Sequence, residues 1–192
     1  MASSDHLLDL IRSTPDTHGL LRASFEFGID RKECGHGLGL TSGEPLEPIA
    51  GDFTGGAYFL CVEKGGWRAV VFASSDGAGG LIADDLVDAL EIIIGLAWQE
   101  CLGFSGGCDL QVMQTSAQHL ETYRVSANPE ITEERARVAA ALSLRVLPLA
   151  DLAIRLHTAP SRTEPDYVVV EDGEVFGPPF GEFSGPRHGG CR

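Results

Sequence analysis

Three groups of residues in this chain carry side chains that chemistry could use. Cys34-x-His36 and His188-x-x-Cys191 together offer four ligands of the right type for tetrahedral zinc, although the first pair is spaced more tightly than in common sites. Cys101 and Cys108 with His119 offer a thiol and a base, the elements of a cysteine nucleophile. The run Gly51-Asp52-Phe53-Thr54-Gly55-Gly56 places a hydroxyl among glycines, as a nucleophile loop does. Each meets a plainer reading. Cys101 follows Trp98 on a predicted helix and suits a core position, where cysteine behaves as a small apolar residue. The four zinc-type residues fall in glycine-rich segments, and metal binding is not expected. Thr54 stands at the wrong spacing for a nucleophile and has no accompanying His and Asp segments. Asp52 is read instead as capping a turn through its side chain, with the glycines permitting positive φ. Gly103-Phe104-Ser105-Gly106-Gly107 opens a helix and could hold an anion, but Asp109 in the first turn would repel it. The expectation is a chain with no catalytic residue, no metal and no cofactor.

The acids are more informative. From Ala69 to Tyr123 there is no lysine or arginine, yet Asp76, Asp84, Asp85, Asp88, Glu91, Glu100, Asp109 and Glu121 all fall there. Nothing local can neutralise them except, weakly, His119. Ordinary structure over this stretch would present a field of one sign, which serves solubility or the docking of something positive. On a helix turning about 100° per residue, Asp84, Asp88 and Glu91 share one ridge with Asp85 beside it. Leu86, Val87, Leu90, Ile93 and Ile94 take the other side. Helix capping and the helix dipole explain Asp84 and Asp85, and part of Asp88, without a partner. They explain Glu91 less well, because it lies deeper in the helix.

The elements that must position these residues follow from periodicity and turn chemistry. Residues 5–12 predict a short helix with Leu7, Leu8 and Ile11 inward, and Leu21 to Gly28 alternates like a strand. A glycine-rich loop spans Gly35 to Gly43, and Leu46 to Ala50 is extended. Ala57–Glu63 and Trp67–Ser74 form a hairpin across Lys64-Gly65-Gly66, and both faces of it are apolar, so these strands are predicted to be covered on both sides. The turn Asp76 to Gly80 leads to the acidic helix, about Asp84 to Leu96, continued or kinked through residue 103. Asp109 to Tyr123, residues 131–145 (capped by Asn128 or Thr132) and Leu149 to Thr158 are predicted helices. Tyr167–Glu171 and Glu174–Phe176 flank Asp172-Gly173, a hairpin signal, and the tail from Gly177 is irregular. Hairpins outnumber strand–helix–strand alternation, so the fold class is α+β: an antiparallel meander sheet with flanking helices and a helical C-terminal extension ending in a β-hairpin. The organisation expected is an α+β domain over 1–127 with an extension over 128–192 packed on it.

The totals narrow the partners. With 14 Lys+Arg against 28 Asp+Glu the net charge is −14, which disfavours nucleic acid and anionic membrane as ligands and favours a basic protein. Five cysteines without a tight pairing pattern argue against a disulfide framework and for a reducing cytoplasm. Asp5 and Asp9 interrupt any N-terminal signal-like segment, and the most apolar run, Ile92 to Trp98, is too short to span a bilayer.

Ile49-Ala50-Gly51-Asp52-Phe53-Thr54-Gly55-Gly56-Ala57-Tyr58, the helix Ile82 to Leu90, and Phe104-Ser105-Gly106-Gly107-Cys108-Asp109-Leu110 together resemble the SUKH superfamily. That is the domain of fungal cell-wall-synthesis regulators and of many bacterial immunity proteins, and the third segment is similar to actinobacterial relatives. The leucine-proline-x-aspartate-tyrosine segment of typical members is missing. The resemblance implies a non-catalytic α+β domain that binds and silences a toxin domain, often a nuclease.

Together these readings predict a cytoplasmic, non-enzymatic binding protein that meets a basic partner through Asp52, Asp76, Asp84, Asp85, Asp88 and Glu91. The rival expectations are a small-ligand binder or enzyme with an unrecognised pocket, and a scaffold that self-associates through the helices between Ile131 and His157.

Overall fold

A computed structural model describes residues 3–31, 37–106 and 108–180. The fold is α+β, with seven α-helices and two antiparallel sheets among the described residues. Helices α1 (Ser4–Ser13) and α2 (Pro15–Ser24) come first. Strands β1 (Leu38–Leu40), β2 (Glu47–Gly51), β3 (Ala57–Leu60), β4 (Val70–Ala73) and β5 (Gly79–Ala83) follow. Then come α3 (Leu86–Gly95), α4 (Trp98–Gly103), α5 (Leu110–Ala127), α6 (Ile131–Leu142) and α7 (Leu149–Thr158), and finally β6 (Val169–Glu171) and β7 (Glu174–Val175).

The larger sheet is the meander β2-β3-β4-β5, and the smaller has the order β1-β6-β7. Alternation along β3 and β4 divides the apolar residues between two cores. Tyr58, Leu60, Val70 and Phe72 join the helical core with Leu7, Ile11, Leu90 and Ile93. Phe59, Cys61, Val71 and Ala73 turn to the other face and pack with Leu40 and Val169 of the small sheet. Three layers result: helices, the four-stranded sheet, and the three-stranded sheet. This is why both faces of the hairpin read as apolar. Described residues beyond 128 contribute to the same cores, since Ile131, Val138, Leu152 and Leu156 lie in the helical one and β6 pairs directly with β1.

Two expectations fail locally. Leu21 to Ser24 is the last turn of a helix and not a strand, because Pro15 starts α2 and Leu21 is its buried anchor. The alternation of Phe25 and Phe27 reflects two buried side chains in the irregular segment after it. Conversely, β1 and β5 arise in segments read as glycine-rich loop and turn. In β5 the glycines are a packing requirement: a Cβ on Gly79 would meet the Phe72 carbonyl oxygen at 2.9 Å, and one on Gly80 would meet Thr163 Oγ1 at 2.4 Å. Thr163 Oγ1 in turn accepts from the Leu81 N–H, which helps close that edge of the sheet.

Candidate functional site

The six acids expected to share one surface are divided among three environments. Asp52 is buried at 2 % exposure. Its Oδ1 accepts from the Thr54 N–H at 2.8 Å, the Thr54 hydroxyl at 3.0 Å and the Gly56 N–H at 2.7 Å, and its Oδ2 accepts from Gln99 Nε2 at 3.0 Å. The turn reading therefore holds, and the docking role expected for Asp52 does not, because every one of these bonds points inward. Asp76 is exposed in the β4–β5 turn, where it accepts from the Ser74 hydroxyl.

Glu91 is also a correction. It is 1 % exposed and clamped by arginines from the C-terminal third of the chain. Its Oε1 accepts from the Arg145 backbone N–H and from Arg145 Nε, both at 2.9 Å. Its Oε2 accepts from Arg145 NH2 at 2.9 Å and Arg155 NH1 at 3.0 Å. Asp88 accepts from the same Arg155 NH1 at 2.7 Å, and Asp84 accepts from Arg162 NH2 at 2.9 Å. Glu121 takes a two-pronged bond from Arg135 at 2.9 and 3.0 Å. Four acids of the lysine- and arginine-free stretch, Asp84, Asp88, Glu91 and Glu121, are thus paired from outside by residues 135–162, and the ridge is not an uncompensated docking face.

The outer end of that ridge does reach a site. Asp85, one residue later than the predicted cap, is the N-cap of α3, and its carboxylate accepts from the Asp88 N–H at 2.8 Å. No cation pairs with Asp85 among the described residues. Asp84, Asp85 and Asp88 line a surface hollow of about 450 Å³ with Val62, Trp67 and Tyr167. On its other flank Trp67 lines a second hollow of about 230 Å³, which shares Asp85 and adds Asp5, Glu63 and Arg68. Trp67 therefore stands between two acid-bearing hollows.

The local sequence forces Trp67 outward. Gly65 (φ 63°) and Gly66 (φ 88°) are both left-handed, the conformation a two-residue type I′ turn demands, and Lys64 and Trp67 close it with bonds of 2.9 and 3.2 Å. The regular ladder stops at Leu60–Val70, so the hairpin tip extends past the end of the sheet, and Trp67 is 46 % and Val62 41 % exposed. Tyr167 is fixed by its N–H donating to the Thr163 carbonyl at 2.8 Å, and burial pushes its phenol pKa up. Burial also raises the pKa of Asp88 above its ordinary 3.8, with Arg155 pulling the other way and Asp85 and Glu91 adding to the rise. The one amine lining the larger hollow, Lys64, has its ammonium 2.9 Å from Glu44.

Sequence reasoning placed Trp67 at the start of a strand and missed it, with Val62 and Tyr167, as site residues. The available signal was an aromatic next to Gly65-Gly66, at a hairpin end with no partner strand to cover it. The chemistry-bearing candidates do not assemble. Cys101 is buried and free, with its thiol pKa pushed up to about 12 by burial, and it packs in the helical core as expected. Cys108 is disulfide-bonded, where the sequence argued against a disulfide framework, and its Sγ lies 3.4 Å from His157 Nε2; His119 is exposed on α5. Cys34, His36, His188 and Cys191 lie outside the described residues. Among the described residues no cluster of His, Cys, Asp or Glu fits a metal ion, and no helix is long and apolar enough to cross a membrane. Comparison of the chain with protein-family models, with curated proteins and with solved structures gives no match, so the SUKH resemblance stands on its residues alone.

Proposed function

We propose that this chain is a non-enzymatic binding protein that docks a basic protein partner over Trp67. The observation that carries the reading is an exposed indole between two hollows that both bear carboxylates, on a hairpin tip closed by a glycine turn. Binding energy at protein interfaces concentrates in such aromatic anchors, and surrounding acids select cationic partners and speed their approach. The expected surface thus contracts to Asp84, Asp85 and Asp88, with Trp67, Val62 and Tyr167 added. A toxin domain that the chain neutralises by occlusion is the partner the SUKH resemblance favours, and cytoplasmic residence goes with that reading. The net charge of −14 supports a basic partner.

The test is to isolate a partner, purify it, and titrate it against the wild-type chain, Trp67→Ala and Asp84→Lys at two salt concentrations. Trp67→Ala is expected to weaken binding at least roughly tenfold, as truncation of a central aromatic does. Asp84→Lys is expected to weaken binding and flatten its salt dependence. Unchanged affinity in both variants overturns the docking site. For the toxin reading, co-expression should relieve the partner's growth arrest, and persistence of the arrest overturns that part.

A further inference from the structure

We infer that the larger hollow beside Trp67 receives an arginine side chain of the partner, its guanidinium set against the indole and paired with Asp84 and Asp85; this rests on the docking reading above. Three observations converge. The hollow, at about 450 Å³, has room for one long side chain, and Val62, Trp67, Ala69 and Tyr167 supply apolar wall for its methylenes. Its lining is acid-rich: Asp84, Asp85 and Asp88 border it, while the ammonium of Lys64, the amine among the lining residues, is engaged by Glu44. The acids also differ in what they already hold. Asp88 is bonded to Arg155 at 2.7 Å and Asp84 to an exposed Arg162 at 2.9 Å, whereas Asp85 makes only its helix-cap bond to the Asp88 N–H among the described residues.

A planar guanidinium suits this wall better than an ammonium does. It stacks on an indole, bonds carboxylates with two prongs, and gives up its hydration more readily. The protein itself uses Arg–carboxylate pairing for Glu91 and Glu121, and it places the Arg31 guanidinium 4.2 Å from the centre of the Phe53 ring.

Trp67 also supplies the readout. The chain has two tryptophans, and Trp98 is buried at 4 % exposure, so emission changes on adding a cationic probe report Trp67. The full chain would be titrated with three capped peptides, acetyl-Gly-Arg-Gly-Arg-Gly-amide, its lysine analogue and its citrulline analogue, with Trp67→Phe as the silent control. The expected result is a saturable change with the arginine peptide at least roughly threefold tighter than with lysine, and no change with citrulline. Asp84→Asn should weaken the arginine response, and 0.5 M salt should suppress it. Equal responses to arginine and lysine overturn the guanidinium preference and leave the docking reading standing. Silence of Trp67 to both peptides, with a purified partner that still binds in a Trp67-dependent way, overturns the arginine hollow alone. Silence together with Trp67-independent partner binding overturns both. A Trp67 emission that shifts with protein concentration before any peptide is added identifies a second copy as the occupant and overturns the proposal.

Discussion

At Glu91 the carboxylate of α3 sits at 1 % exposure with four donated bonds from two arginines; about two turns earlier, at Asp84, a carboxylate on the same helix approach is exposed and meets one exposed arginine. The residue types are alike and the spacing puts them on one ridge, yet the inner end is structure and the outer end borders a hollow. The difference comes from what lies opposite. Helix α7 packs on the C-terminal half of α3 and delivers Arg155, and the segment after α6 delivers Arg145, so a charge there must be paired to be tolerated. Facing Asp84 and Asp85 among the described residues are the hairpin tip with Trp67, Tyr167 and the exposed Arg162. A run of like charges therefore says little about function until the element facing each member is known.

The comparison breaks most visibly at the inner end. Glu91→Ala removes the acceptor shared by Arg145 and Arg155, leaving only Asp88 to hold them, and is expected to cost about 2–4 kcal/mol, read as a lowered urea midpoint. If the loss is under about 1 kcal/mol, the inner end is no more structural than a surface pair. A second variant probes the same contact without charge. Gly95→Ala would ordinarily gain up to about 1 kcal/mol of helix propensity. Here the new Cβ would fall 2.2 Å from Leu152 Cδ1, and Leu152 is itself fully buried, so a net loss of about 1–3 kcal/mol is expected. A gain would show that α7 can retreat.

Asp88, between the two ends, sharpens the contrast through pH. Its folded pKa is raised above the ordinary 3.8, chiefly by burial and against the pull of Arg155. The folded chain then holds that proton more tightly than the unfolded one, so this group's contribution is fullest below the unfolded value and is lost as pH rises through the folded one. Asp88→Asn should remove that fall from urea midpoints measured upward from pH 3.5; an unchanged profile would place the titration elsewhere. The smallest effect belongs to the outer end. Arg162→Ala breaks an exposed pair and is expected to change stability by under about 0.5 kcal/mol. A loss near that of Glu91→Ala would erase the distinction between the two ends.

The hairpin around Gly65-Gly66, the Asp52 turn, the helices near 86–95, 110–127, 131–142 and 149–158, and the terminal hairpin were all legible, because each is fixed by local periodicity or turn chemistry, although the 131–142 helix is capped at Glu130 and not at Asn128 or Thr132. What escaped depended on distant partners. β5 is a strand only because β4 and Thr163 accept its glycines at close range, and β1 only because β6, some 130 residues later, pairs with it. The alternating Phe25 and Phe27 imitate a strand since a buried irregular segment can place side chains inward in the same rhythm.

By itself the sequence determined where charge is concentrated, that one segment from Ala69 to Tyr123 holds acids without basic residues, and that a tight glycine turn precedes Trp67. Only the tertiary structure decided which of those acids are spent, because Arg135, Arg145, Arg155 and Arg162 come from beyond the segment and reach it through the packing of α6 and α7. Local spacing sets the face a side chain takes along its own helix or strand; whether that face meets a cation, an indole or water is settled by chain folding over long sequence separations.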